Sequence, residues 1–576
     1  MWDDLAVALG SPMTTLPDAP ARRPPSPSLS TRGRSMDRLV PVGLFATALA
    51  MYVAAAARWP TEWDSVSLVF GVDRFDVTQA SPHAPGYWLY VAAGRLIRAL
   101  TPLSTTDSLL AASALAAAAT VAMAYVVGRT IGGRWLGGAA AAVLLTSPFV
   151  AFYGSSIATY PFDALASLVL VYLAWRATPG SWHGPAAAAA LGLAGGTRQS
   201  SVLLLAPVAL VALLRSLRRA PSPARLAAAC AAAGAAGLAV WLVPMGLEQP
   251  GGLGVVQREG ARIWREAVTV SSPFYGAPGS GVRYNIGQAT GYTLAAVVLL
   301  LPACVAAVLL ARRGRARAAA LAADLGERQA ISRSGLQPPL LLLIAAVPPF
   351  AFVTAFHFGK AGYVLSYLPA LVLLLLWPAT GLAGRPRLAV SALVAVACVA
   401  QLLRFAGAPG ILPTSLTDNG GPWFLQSRFG APYRLTDPAL RETDADVDRY
   451  RALARTFDPA TDELVYVYMD GGHRFRHAML TLPQFRMHYL QLGFHEWSAQ
   501  DRRWRHERDH VLELRPGSRA VFVLDEPQAG VAALVSQGLA LPVQLDTGPT
   551  VYVVPPGVTV FGVKLEATGP APVPSR

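Results

Sequence analysis

The sequence predicts an α-helical polytopic membrane protein of about eleven transmembrane helices, with a small α/β extracytoplasmic domain at the carboxyl end. Three observations carry this. Hydrophobic residues make up 53% of the 576 and charged residues only 14%, and mean hydropathy is +0.40, far too apolar for a soluble protein. Apolar windows of spanning or near-spanning length recur from residue 38 to residue 406. Beyond residue 410 the composition turns abruptly polar and mixed.

Residues 1–37 are rich in Pro, Ser and Arg and precede an apolar run without a convincing small-residue cleavage site, so a disordered cytoplasmic tail is expected. The windows that follow lie near 38–57, 106–128, 135–152, 161–176, 184–197, 200–215, 226–247, 287–311, 338–356, 362–380 and 388–406, which together define a transmembrane domain over 38–406. The 184–197 window is short for a span; if it pairs with its successor as a re-entrant hairpin, the parity downstream is unchanged. With the amino terminus inside, alternate connections carry Arg129 and Arg134, Arg176, Arg215 to Arg225, Arg312 to Arg317, then Arg385 and Arg387, the positive-inside pattern. The first outer loop is then 58–105, and the turns at 153–160, 196–201 and 357–363, the 248–286 loop and the 407–576 domain lie on the same outer face.

Within the first outer loop, 84–100 combines Trp88, Tyr90, Arg95 and Arg98 at a length that suits a helix lying in the interface. The stripe Arg258, Arg262 and Arg265 beside Trp264 reads as a second interfacial helix or as a cover for an anionic headgroup. In the carboxyl-terminal domain, 436–457 is charged and helix-like, and 463–469, 520–524, 551–554 and 558–563 are short β-rich runs. His473 and His477 have i, i+4 spacing, but no third metal ligand is evident from spacing.

A formal net charge of +14 invites a nucleic-acid reading, yet many arginines sit in short connections between apolar segments, so much of the charge is topological and no nucleic-acid partner is expected. Cys230, Cys304 and Cys398 all fall in apolar runs, which supports neither a disulfide framework nor a thiolate metal site. The arginine and alanine bias suggests a GC-rich bacterial genome. Lys360 and Lys564 are the only lysines.

The most informative tract is Glu62-Trp63-Asp64-Ser65 followed by Ser81-Pro82-His83-Ala84-Pro85-Gly86-Tyr87-Trp88-Leu89-Tyr90, polar groups held at a membrane boundary where they are costly. It resembles the first outer loop of the GT-C glycosyltransferases, and in particular the His-Pro-Pro-Gly-Tyr tract of the branch related to protein O-mannosyltransferases. The resemblance is close over some 35 residues, and two weaker echoes accompany it at 192–200 and 357–369. It departs from many relatives at Ser65, where a second acidic residue often follows the first, and at Thr159 or Asp163, where some carry a glutamate.

The resemblance implies an inverting enzyme of the bacterial inner membrane that moves a sugar, mannose or another hexose, from a polyprenyl-phosphate donor to a protein, glycan or lipid acceptor on the outer face. No cofactor is expected, and a divalent metal stays open. Such a transfer needs a base for the acceptor hydroxyl, positive charge for the leaving phosphate, and tolerance of oxocarbenium character. Asp64 is the expected base, with a carboxyl raised toward working pH by partial desolvation; the alternative is a helix N-cap. His83, Gly86 and Tyr87 shape the loop or contact sugar and phosphate. Arg198, His357 and Lys360 are phosphate candidates or membrane-edge anchors, with Tyr363 beside them. Asp163 is a second acidic or acceptor-binding candidate or a helix cap.

Two other functions fit parts of this pattern. An envelope-polysaccharide polymerase or ligase would use a lipid-diphosphate donor. A transporter or flippase would show two similar halves with broken helices at the midplane, whereas the polar clusters here gather on one side.

Overall fold

The computed structural model describes residues 31–324, 337–357, 359–405, 438–467, 473–491, 495–498, 503–506, 511–524 and 529–567. The first helix, α1 (Thr31–Ala54), begins ahead of the apolar run that predicts it; residues 1–30 of the expected tail lie outside the described residues. It packs on α4 (Thr105–Gly132), the central helix, whose Leu109, Ala117, Val121 and Ala124 are fully buried. Ser104 opens α4 by accepting from the Asp107 N–H.

Around α4 stand α5 (Arg134–Thr146) with α6 (Pro148–Gly154), α7 (Tyr160–Arg176), α8 (His183–Thr197), α9 (Ser200–Leu217) and α10 (Pro223–Glu248). Pro148 breaks the α5–α6 segment into a pair bent by 61°. Ala and Gly faces bring α8 and α10 together, the small-residue contact that membrane helices use in place of a hydrophobic drive. Further along run α11 (Gly252–Ser271), α12 (Gly279–Val297), α13 (Leu301–Asp324), α14 (Pro338–Ala355), α15 (Leu368–Leu376) and α16 (Gly384–Phe405).

Six helices among the described residues are long and apolar enough to cross a membrane, seven if the bent pair counts as one span. That is fewer than the eleven windows in the sequence, because α7, α8 and α15 have 17, 15 and 9 residues and the apolar part of α1, Leu39–Ala54, is also short, so these four fall below the length of a single span. Large apolar side chains such as Leu203, Val243, Leu388 and Val396 point outward, the arrangement of a bundle surrounded by lipid.

The carboxyl-terminal region is a mixed sheet of seven strands in the order β4-β3-β2-β1-β6-β8-β7, with β1 (Asp462–Val467) parallel to both β2 (Met487–Gln491) and β6 (Arg519–Val523). The neighbours are β3 (His495–Ser498), β4 (Arg503–His506), β7 (Leu541–Gln544) and β8 (Thr550–Val554), and a small second sheet joins β5 (Val511–Leu514), β10 (Val563–Ala567) and β9 (Thr559–Val560). The helices are α17 (Pro438–Thr456), α18 (His473–Thr481) and α19 (Ala529–Ser536). Four of the strands match the β-rich runs in the sequence; Met469, which the first of those runs includes, lies outside the described residues.

Candidate active site

The 58–105 loop supplies the floor of a cleft at the end of the bundle that faces the carboxyl-terminal domain. Helix α2 (Trp63–Asp73) carries Asp64 in its first turn, where the helix dipole favours a carboxylate. The alternative reading of Asp64 as a helix N-cap does not hold: Glu62 occupies the N-cap position, without a side-chain cap bond. Ser65 explains its own departure from the resemblance, since its buried hydroxyl donates to the Ile157 carbonyl at 2.8 Å and ties α2 to the turn before α7.

The His83–Tyr87 tract then folds back on α2. Both Ser81–Pro82 and Ala84–Pro85 are cis, Gly86 has φ +116°, and Tyr87 has φ +48° at the start of α3 (Trp88–Leu100). Only glycine fits at 86, because a Cβ there would stand 2.9 Å from the Phe75 ring. The α8–α9 turn holds this bend from outside, with Gln199 Nε2 donating to the Pro85 carbonyl at 3.0 Å. As expected, α3 is amphipathic; Arg95 and Trp88 both donate to Glu248 at the end of α10.

Asp64 lies at the centre. Its Oδ2 accepts from Lys360 Nζ at 3.1 Å, and its Oδ1 is 3.7 Å from His83 Nδ1. The Ser67 hydroxyl donates to the Asp64 carbonyl at 2.7 Å and lies 2.9 Å from the same His83 nitrogen. Tyr87 closes the chain, its hydroxyl 3.2 Å from His83 Nε2. The Asp64 side chain keeps 32% of its surface open and Lys360 40%, enough for a ligand to reach both.

This geometry overturns the expectation of a raised Asp64. Burial pushes its carboxyl up, but His83, Lys360 and Arg476 more than offset it and hold the group well below the usual carboxylate range. Lys360 is correspondingly raised, chiefly by Asp64. The neighbour that moves the other way is Glu62, whose carboxyl burial raises despite Lys360. His83 is lowered by burial, against the pull of Asp64.

A second layer lies behind. Arg198, 7% exposed at the end of α8, is sandwiched between the Tyr160 and Tyr363 rings, 4.5 and 4.4 Å from their centroids. Asp163 does not reach the Asp64 cleft; it is buried beneath Arg198, 3.4 Å from Nη1, and accepts from the Ser201 hydroxyl at 2.6 Å. Gly362 permits the sandwich, since a Cβ there would come within 2.3 Å of the Tyr160 ring. His357 stands farther out, its ring centroid 5.0 Å from Tyr363 and 6.2 Å from Trp264 of α11.

The cleft has an empty volume of about 290 Å³ including its open mouth, and Glu62, Asp64, His83, Tyr87, Thr159, Tyr160 and Arg198 line it. The structure therefore brings together Asp64, His83, Tyr87, Arg198, Lys360 and Tyr363 from four separate stretches of chain. Sequence reasoning missed Glu62, Tyr160 and Arg476. Glu62 carried a signal, two residues before Asp64 in the same polar island, whereas Arg476 had none. Arg262 of α11 pairs with Glu259 and Glu266 on its own helix, so its charge is answered locally. No group of three or more metal-ligating side chains occurs among the described residues.

No protein-family model and no curated protein matches this chain. Solved structures do. ArnT from Cupriavidus metallidurans bound to undecaprenyl phosphate aligns with a TM-score of 0.53 at 15% identity, covering 91% of this chain and 98% of that one. The same protein in the apo state aligns with a TM-score of 0.53 at 14% identity, over 93% and 100%. The likeness shows that this chain shares the fold of ArnT, and its six or seven helices long and apolar enough to cross a membrane agree with a multi-pass membrane protein.

Proposed function

We propose that this protein is a GT-C glycosyltransferase that transfers one sugar, mannose or another hexose, from a polyprenyl-phosphate donor to an acceptor at the outer face of the bacterial inner membrane. The observation that carries the reading is the meeting of Asp64, Lys360 and His83 in an open cleft at the bundle end, with Arg198 held rigidly behind them. The fold it shares with a protein crystallised with undecaprenyl phosphate supports a lipid monophosphate donor. An eleven-pass topology, with the cleft and the carboxyl-terminal domain outside, follows from the alternation of arginine-bearing connections.

In this reading the acceptor oxygen attacks the anomeric carbon as the bond to the phosphate oxygen breaks, with inversion. Asp64 takes the acceptor proton, and Lys360 with Arg198 receives the charge that develops on the phosphate. Lys360 pairs with Asp64; a donor phosphate competes for that ammonium, and as Lys360 turns to it the Asp64 carboxylate becomes more basic. Glu62, kept toward its protonated form by burial, is suited to donate a hydrogen bond. His83 and Tyr87 are suited to hold sugar or phosphate oxygens.

Membranes containing wild type or Asp64→Asn, incubated with labelled polyprenyl-phosphate sugars, test the reading. Wild type should transfer label and the variant should lose at least ~100-fold of the rate. Equal transfer by both removes Asp64 as the base. Turnover of a lipid diphosphate but of no monophosphate makes the protein a polymerase or ligase, a reading that the added cation Arg476 near the cleft also suits.

A further inference from the structure

Three consecutive residues at the start of α18 grip the first outer loop from the carboxyl-terminal domain. Phe475 stacks on Tyr489 at 4.7 Å, and the two rings lie 6.5 and 5.8 Å from the Trp63 ring. The Arg476 guanidinium lies over that same Trp63 ring, 4.2 Å from its centroid, and its Nη1 donates to the Ala80 carbonyl at 3.4 Å. His477 Nε2 is 2.6 Å from the Pro60 carbonyl, to which it donates. All three are buried, at 2%, 5% and 8% exposure.

Their targets are not scattered. Pro60 and Trp63 flank Glu62 and adjoin Asp64, and Ala80 leads into the cis-proline bend that delivers His83. One helix therefore bridges both limbs of the loop, which otherwise meet through Ser67 and His83 at 2.9 Å and through Asp64 and His83 at 3.7 Å. Among the described residues no carboxylate lies in ion-pair range of Arg476, and burying an arginine in that state is expensive. Domain adhesion by itself needs only apolar contacts, which Leu480 already makes against the loop's own apolar cluster.

We propose that the run Phe475-Arg476-His477 is a positioning element of the site, by which the carboxyl-terminal domain sets Asp64 and His83 in register. The inference rests on the reading of Asp64 as the working carboxylate. Arg476 also acts electrostatically, since its charge is one of the three that hold Asp64 down, beside His83 and Lys360, while Glu62, Arg198, Tyr87 and Tyr363 face the same cleft.

The test uses the full-length protein in lipid nanodiscs, with Arg476→Met and His477→Leu. Amide hydrogen exchange at 62–83 should accelerate by about tenfold in each variant while β1 and β6 keep their protection. Unchanged exchange at 62–83 in both variants overturns the proposal. If the sheet collapses in one variant, exchange in the other decides; collapse in both overturns the proposal, because the run then serves only the domain's own core. In the transfer assay, kcat of Arg476→Met should fall by about tenfold with donor KM within about threefold of wild type, and its acidic limb should move to higher pH. Arg476→Lys, which restores the charge, should return that limb toward the wild-type position. A wild type that transfers from no lipid-linked donor removes the functional reading but leaves the exchange result to decide the positioning role.

Discussion

Asp64 is legible in the sequence as an acid at a membrane edge, but its state is not. Desolvation alone predicts a raised carboxyl; the opposing groups are His83, which the bend folds back onto α2, and the cations Lys360 and Arg476, which no local pattern connects to residue 64. The sign of the pH dependence follows from these charges. A depressed Asp64 stays ionised at low pH, and removing the Lys360 ammonium lets its carboxyl rise, so Lys360→Met should move the acidic limb of kcat/KM upward as well as weaken turnover. A pH–rate profile of the two proteins checks both. Ser65 teaches the converse. What looks like a missing acid is a structural hydroxyl, and Ser65→Ala should cost about 1–2 kcal/mol by leaving the buried Ile157 carbonyl unpaired, measurable as a lower unfolding midpoint in detergent.

At the scale of elements, the amphipathic helix α3 and the bend before it are readable because aromatic, arginine and Pro-Gly signals are local. The bend is held by steric demand at Gly86, whose φ of +116° and contact with Phe75 exclude a side chain. Gly86→Ala should therefore lower stability by about 1–3 kcal/mol and reduce transfer even though it removes no polar group; thermal inactivation and the transfer assay report the two effects. The Arg198 sandwich was half readable. The sequence offered the cation and Tyr363, but Tyr160 joins them only because α7 and the 361–366 turn pack against each other. Asp163 illustrates the same limit, since its partner Ser201 belongs to α9. The strands β2, β3, β4, β5, β7 and β10 escaped sequence reading because polar and charged residues interrupt their apolar runs, and buried β2 hides its histidine in a hydrogen bond with Glu463.

For the whole molecule, the carboxyl-terminal domain stands on a buried carboxylate. Glu463, 0% exposed, accepts from His488 at 2.7 Å and from the Arg515 N–H and guanidinium at 2.7 and 3.0 Å. Burial pushes its carboxyl up, but these donors prevail and hold it at about 2. A carboxyl lowered on folding stabilises the folded state above its unfolded value of 4.5 and loses that contribution as pH falls toward 2. Glu463→Gln should destabilise the domain by about 3–5 kcal/mol at neutral pH, and the gap from wild type should shrink on acidification, as melts across that range will show. Topology is testable too: Gln537→Cys, on an exposed turn after α19, should react with an impermeant maleimide added to intact cells if the domain lies outside. What the sequence determined by itself is the multi-pass helical character of the bundle, the polar loop and the appended α/β region, because hydropathy and turn chemistry are properties of contiguous chain. Only the tertiary structure decided the charge state of Asp64, the partners of Arg198 and Asp163, and the reach of α18 into the site, because each depends on groups far apart in sequence that meet when the bundle and the sheet close over one loop.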